Sequence, residues 1–310
     1  MSHLKALIAG CYKVRDFGAL SFYLGIRFTR DRARKTISMS MEAYFDRLTQ
    51  EYHLTDSPGE EYPLPKDVLK LDKNTEQANP DKIKEYQSLV AKLLYPTTIC
   101  RPDAAWHVAY MARFASNPTV EQMSYLKRLL RYFKGTRTLG ITYSADATSP
   151  GKDLTKVHSI GLCGYTDASF GDTMEKRSSA GYLFMMAGGV VSFKSFKQRI
   201  VTASTTEAEF ITQTYGAKEA VWIHTLLAEL GYNGNDRLPT QLYSDCLPAV
   251  QLAHSHGHHE RTKHIDIHYK WIRQAIELGK VKVTHVAGTE MAADGLTKPL
   301  EHYAHQHFLS

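Results

Sequence analysis

Apolar and polar positions change their period several times along the chain, and each change marks an element. Phe22, Leu24, Ile26 and Phe28 alternate with their neighbours between Leu20 and Arg30, the two-residue period of a half-buried strand. After the charged turn DRARK, the run Thr36 to Met41 is expected to return antiparallel and complete a hairpin. Tyr44, Phe45 and Leu48 then take helical spacing across 42–52. The stretch 57–80 mixes prolines, charges and turn residues with little apolar content, and reads as an extended loop. Helical spacing resumes from Ile83 to Phe133, with Pro96, Pro102 and Pro118 as the expected breaks.

On a helical wheel of 119–134, Met123, Leu126, Leu130 and Phe133 share one sector, and Lys127, Arg131 and Lys134 share the sector beside it. Such a basic edge suits either a solvated helix face or a track for phosphates. The segment 144–156 is rich in Ser, Gly, Asp, Thr and Pro and reads as a linker, which divides the chain into expected domains at 1–150 and 157–310. Beyond it, strand-like runs at 160–169, 179–187 and 190–197 are separated by turn residues that include Gly188 and Gly189, as in an antiparallel meander. A helix over 205–230 follows, with Trp222, Leu226, Leu227 and Leu230 expected on its core face. Next come a strand at 241–244, a helix, a longer amphipathic helix at 262–278, a strand at 280–286 and a final helix from Asp294. That order predicts an α+β or mixed α/β chain whose second half is a mixed sheet covered by helices.

Composition narrows the class without naming a function. Hydrophobic residues make up 43% and charged residues 23% of the 310 positions, which excludes disordered, collagenous and coiled-coil chains. No apolar run approaches the roughly 18 residues of a membrane span, and the first residues lack the pattern of a signal peptide. A soluble intracellular protein with no membrane partner is the expectation. Cys11, Cys100, Cys163 and Cys246 lie far apart and form no CxxC pair, so reduced thiols are expected in place of a disulfide framework or zinc knuckle. The net charge of +6 permits a polyanionic partner without demanding one.

Four carboxylates occupy strand ends and helix starts, where side chains converge without disturbing a core. Asp167 ends the first apolar strand in GYTDASFGD, Asp245 follows the short strand in LYSDC, Glu209 lies in the first turns of a helix in STTEAEF, and Asp294 opens ADGLTKPL. Oxygen ligands of this kind suit magnesium. Any one of them alone is an ordinary turn or cap residue.

The wider blocks carry a resemblance. GYTDASFGD, KRSSAGYLF, VVSFKSFKQRIVTASTTEAEF, EAVWIHTLLAELG, HERTKHIDIHYKWIRQAIELGKVKV and ADGLTKPL, in this order, resemble the ribonuclease H domain of copia-type LTR retrotransposon Pol polyproteins. Upstream, DFGALSFYLGIRF, YQSLVAKLLYPTTICRPDAAWHVAYMARFASNP and LKRLLRYFKGT resemble the end of the reverse transcriptase region and the connection into ribonuclease H. The resemblance implies a ribonuclease H-like fold with a mixed five-stranded sheet, preceded by a small α+β connection region. It also implies that Asp167, Glu209, Asp245 and Asp294 hold two magnesium ions for hydrolysis of the RNA strand of an RNA/DNA hybrid. Glu207 is the rival of Glu209, which is preferred because it directly precedes the apolar Phe210. His259, Arg261, Thr262, Lys263 and His264 occupy places that match the family and are expected to contact the nucleic-acid backbone or lock a helix start. Ser178, Ser179, Lys197, Gln198 and Arg199 are further candidates for such contacts.

Some features depart from the family pattern. His285 sits at a strand end, and no His occupies 286–293, where many ribonuclease H enzymes carry a mobile one. No adjacent Asp-Asp pair of the kind a polymerase palm uses occurs in the chain, so polymerisation by this chain alone is not expected. His254, His256, His258, His259, His264 and His268 cluster in sequence, and the last two have i, i+4 spacing, but without nearby Cys or an intervening Glu a zinc site is disfavoured. Two readings compete with the nuclease: a nucleic-acid-binding relic without turnover, and a structural subunit that complements a polymerase-containing chain. Family habit places the protein in cytoplasmic virus-like particles, with the nucleus as a second compartment.

Overall fold

The computed structural model describes residues 2–146, 161–171, 176–232, 239–255 and 266–309. Most of the expected linker, and the candidates His259, Arg261, Thr262, Lys263 and His264, lie outside these residues. In the first half, α1 (Ser2–Cys11) precedes strands β1 (Phe22–Tyr23), β2 (Ile26–Asp31) and β3 (Thr36–Ser40). The expected hairpin forms between β2 and β3, with Arg27 opposite Ser40 and Asp31 opposite Thr36. The run before it is no single strand. Gly25, at φ +81°, turns the chain back so that Phe22 pairs with Arg27, which leaves Phe22 and Leu24 exposed.

Helices α2 (Glu42–Glu51), α3 (Pro80–Ile99), α4 (Ala105–Met111) and α5 (Val120–Gly135) follow, and strand β4 (Ile141–Ser144) completes an antiparallel sheet in the order β1-β2-β3-β4. Pro96 does not break α3, contrary to expectation. Its missing N–H would have bonded the Lys92 carbonyl, and that carbonyl accepts the Tyr44 hydroxyl instead at 2.8 Å. The loop 57–80 is also less open than its composition suggests, because a 3-10 turn at Lys66–Lys70 helps bury Leu64, Val68 and Leu71. Helix α5 starts with a capping box: Thr119 Oγ1 accepts the Gln122 N–H at 3.1 Å, and Gln122 Oε1 accepts the Thr119 N–H at 2.9 Å. The helices close a core around Phe45, Leu89, Leu93, Leu126, Leu130 and Phe133.

The second half holds β5 (Cys163–Ser169), β6 (Ser179–Met186), β7 (Gly189–Lys197), α6 (Thr205–Glu229), β8 (Thr240–Ser244), α7 (Leu247–His254), α8 (Asp266–Glu277) and β9 (Val281–His285). The strand order is β7-β6-β5-β8-β9. The meander β5-β6-β7 is antiparallel, while β8 runs parallel to both β5 and β9. This is the ribonuclease H-like arrangement, and it matches the expected order of elements. Its core gathers Phe184, Phe210, Ile211, Leu242, Ile272 and Val283.

Two expectations fail here. Trp222, Leu226 and Leu230 are not core: they are 58%, 39% and 63% exposed, and Leu227 is only partly buried. The reason is length, because 25 residues of α6 outrun a seven-residue central strand, roughly 37 Å against roughly 23 Å, so the last turns overhang the sheet. Nor does Asp294 start the final helix. It opens a single 3-10 turn, Asp294–Leu296, and α9 (His302–Leu309) begins further on.

The halves share an interior. Ala105 of α4 packs in one cluster with Cys163, Tyr165, Leu183 and Leu296. The Tyr143 hydroxyl donates to the Val190 carbonyl at 2.7 Å, and the Ser144 N–H to the Ala187 carbonyl at 2.8 Å, joining β4 to the edge of the second sheet. Among the described residues no helix is long and apolar enough to cross a membrane.

Candidate active site

Parallel pairing of β5 and β8 is what brings the first two acids together. Tyr165 pairs with Tyr243, so Asp167 and Asp245, each two residues further on, leave the same end of neighbouring strands. The third acid arrives on the turn after β9. That turn approaches because Gly181, opposite Asp167 on β6, has no side chain: a Cβ there would lie 2.6 Å from the Leu296 Cβ. As a result, one carboxylate oxygen from each of Asp167, Asp245 and Asp294 lies within 4.8 Å of the others.

Glu209 approaches from α6. It is buried, its Oε1 accepts the Ala168 N–H at 2.9 Å, and its Oε2 has no hydrogen-bond partner among the described residues. Glu207, about 200° round the helix, does something else. Its carboxylate accepts the Ala203 N–H at 2.7 Å while its own N–H donates to Ser204 Oγ at 3.2 Å, so it serves the helix start.

Burial, then the neighbouring Asp294, holds the Asp167 carboxyl well above the ordinary carboxylate range. Burial and then Asp167 do the same to Glu209, and burial and then Asp294 raise Asp245. Two residues answer this crowding of negative charge. The Thr297 hydroxyl donates to Asp167 Oδ2, and Lys298 Nζ lies 2.8 Å from Asp294 Oδ1. Burial opposes the charge on Lys298, but Asp167, Asp294 and Asp245 outweigh it and raise the ammonium. His285 reaches the rim, with Nε2 3.1 Å from the Asp245 carbonyl.

No family model matches. The chain is 33% identical over 305 residues to the Retrovirus-related Pol polyprotein from transposon TNT 1-94 of Nicotiana tabacum, covering 96% of this chain and 22% of that one. It is 33% identical over 301 residues to the Retrovirus-related Pol polyprotein from transposon RE1 of Arabidopsis thaliana, covering 96% of this chain and 19% of that one. Over nearly its whole length this chain is similar to part of the retrovirus-related Pol polyproteins of plant transposons. It spans about a fifth of the length of these relatives. Among solved structures, the N-terminal RNase H domain of a Mycobacterium tuberculosis protein, fused to maltose-binding protein, has a TM-score of 0.34 at 14% identity, over 47% of this chain and 96% of that one.

The basic candidates have varied surroundings. Arg131 pairs with Glu60 at 2.7 Å, Lys134 donates to the carbonyls of Leu54, Thr55 and Ser57, and Lys127 lies 3.9 Å from Glu85. The edge of α5 is thus largely engaged with its own fold. Lys197 is half-buried at the end of β7, and Arg199 is exposed just beyond it. Ser178, Ser179 and Gln198 are buried. Ser178 bonds Thr202 at 3.0 Å, Ser179 lies 3.4 Å from Trp106 Nε1, and Gln198 donates to the Ala208 carbonyl at 2.8 Å, so all three serve the interior. Of the clustered histidines, His254 bonds the Val283 carbonyl at 2.9 Å and His268 packs against Tyr215. His264, the expected i, i+4 partner of His268, lies outside the described residues.

Thr297 and Lys298 escaped the reading of residue types, which attended to acids. The signal was there as spacing, since positions three and four after Asp294 fall on its side of a tight turn.

Proposed function

We propose that this chain hydrolyses the RNA strand of RNA/DNA hybrids with magnesium, as the ribonuclease H part of a transposon Pol polyprotein. The observation that carries the reading is the convergence of Asp167, Asp245 and Asp294, one oxygen from each within 4.8 Å. The donor set fits the ion: every ligand atom is a carboxylate oxygen, as a hard divalent cation prefers, and the buried Glu209, whose Oε2 has no hydrogen-bond partner among the described residues, feels the charges of Asp167 and Asp245. Asp167, Glu209, Asp245 and Asp294 would hold two ions, whose chemistry when bound is to activate a water for in-line attack and to stabilise the departing oxygen.

The chain's own residues prepare that site. Thr297 fixes the orientation of Asp167, and the Ala168 N–H fixes that of Glu209. Lys298 balances part of the negative charge. Glu207 supports the helix that delivers Glu209 without entering the cage.

Cutting along any template calls for recognition of backbone shape and of the 2′-OH, which separates the RNA strand from the DNA strand. Lys197 and Arg199, at the rim of the sheet, are the described residues assigned to phosphate contacts, together with His259, Arg261, Lys263 and His264. A chain carrying the polymerase palm is the partner this reading implies.

The test is incubation of the purified chain with a labelled hybrid and magnesium, beside Asp167→Asn and Asp245→Asn. Cleavage that both substitutions and chelation abolish is expected. Hybrid binding with no metal-dependent cutting in the unaltered chain would overturn the proposal in favour of a binding protein without turnover.

A further inference from the structure

The turn that carries Asp294 is secured from the other half of the chain. After this turn, Thr297 to Glu301 lead into α9, and α9 lies against the connection region. At its start, Glu301 pairs with Lys66 at 2.7 Å and His302 Nε2 lies 3.2 Å from Glu61. One turn later His305 is buried, with Nε2 2.9 Å from the Tyr132 hydroxyl on α5. Tyr132 has one hydroxyl hydrogen, and it goes to Asp103 Oδ2 at 2.5 Å. The imidazole N–H of His305 is therefore the donor to Tyr132.

The chain of donors ends on a fixed base. Asp103 is gripped by Arg101, Nε to Oδ1 at 2.9 Å and Nη2 to Oδ2 at 2.8 Å. Arg101, fully buried, also donates to the carbonyl and the hydroxyl of Thr136 and lies over the rings of Phe45, Tyr132 and Phe133. Buried networks whose members are partnered are stiff, because each lost bond leaves a polar group without water.

The same helix then touches the active-site turn directly. Phe308 covers Gly295, the residue after Asp294: a Cβ on Gly295 would meet three Phe308 ring carbons at 3.1 Å. The rings of His305 and Phe308 lie 6.5 Å apart, so a single helix face spans the distance from the relay to the turn.

We propose that Tyr132, acting through His305 and Phe308, is a positioning residue for Asp294, so that the metal-binding cage is set from inside the connection region. The inference rests on the nuclease reading, because it assigns Asp294 a metal. It predicts that removing one buried hydroxyl, far in sequence from every acid of the cage, weakens metal binding.

The experiment titrates Mn²⁺ calorimetrically into the full chain, into Tyr132→Phe, His305→Ala, His305→Gln and Phe308→Ala, and into Leu89→Ala as a core substitution outside the relay. Tyr132→Phe, His305→Ala and Phe308→Ala should weaken binding roughly tenfold, the lower end of what outer residues of a metal site contribute. His305→Gln keeps an N–H for Tyr132 and should restore affinity to within about threefold, inside the context scatter of such effects. Leu89→Ala should lower the unfolding temperature with affinity unmoved. Equal affinity in all folded variants, with the unaltered chain binding Mn²⁺, would overturn the positioning role alone. Absence of Mn²⁺ binding by the unaltered chain would overturn it together with the nuclease reading.

Discussion

Lys298 Nζ lies 2.8 Å from Asp294 Oδ1, four residues earlier in the chain, and is the cation nearest the cage among the described residues. An ammonium there competes with a metal for the same oxygens. Lys298→Met should therefore tighten divalent-cation binding about tenfold, the equivalent of ~1.4 kcal/mol. It should also lower the unfolding temperature of the metal-free protein, since the carboxylates lose their counter-charge. Calorimetric titration and thermal unfolding read the two effects, and an unchanged affinity would count against this competition.

Glu207 and Glu209 hold different partners, the Ala203 N–H and the Ala168 N–H. Glu207→Ala removes the acceptor for the Ala203 N–H, and should cost about 1 kcal/mol of stability with cleavage of the hybrid unchanged. Glu209→Gln should do the reverse. It removes a carboxyl that burial forces to take up a proton on folding and so stabilises the metal-free fold at neutral pH, while cleavage drops more than about 100-fold, beyond the range of outer-residue changes. Denaturant unfolding and a cleavage assay on both variants check the pair.

The acids also make the metal-free protein sensitive to base. Asp167 is pushed up to about 7 from 3.8, and Glu209 up to about 9 from 4.5. In those windows the folded chain holds protons that the unfolded chain has lost, so stability falls as pH rises. The unfolding temperature should decline from about pH 4 to about pH 9 and level off beyond, as far as these two groups govern it. Asp167→Asn should flatten the lower part of that decline and Glu209→Gln the whole span. Magnesium, added above pH 7, should raise the unfolding temperature most where the decline is deepest.

His107 acts with the opposite sign. Burial pushes its imidazole down to about 3, and neither ring nitrogen has a partner among the described residues. A depressed value contributes stability above the ordinary 6.5 that is lost as pH falls toward 3. His107→Leu should remove this acid sensitivity and raise stability at pH 7 by about 1 kcal/mol, because unsatisfied polar atoms leave the core. Urea unfolding at pH 5 and pH 7 measures both.

Much of the second sheet is legible in the linear order because its strands are short, apolar and punctuated by turns, and because Asp167 and Asp245 sit at strand ends by their spacing alone. The different work of Glu207 and Glu209 was not readable from burial, since both lie in a helix start that is buried on every side. Three further features were not readable, and all depend on partners distant in sequence. Pro96 stays within α3 only because Tyr44 supplies the hydrogen bond that the proline removes. The wheel of α6 shows which face is apolar, but not that the sheet ends before the helix does. The charged edge of α5 looks like a phosphate track until Glu60 and the carbonyls of the loop after α2 are seen to meet it.

The seat of α9 has a practical consequence for anyone dissecting the molecule. A recombinant fragment cut at residue 157 would keep His305 and Phe308 but discard Tyr132, Asp103 and Arg101, leaving an imidazole shaped for a buried hydroxyl facing open water. Poor behaviour of such a fragment would say more about where the scissors fell than about the chemistry it was made to display.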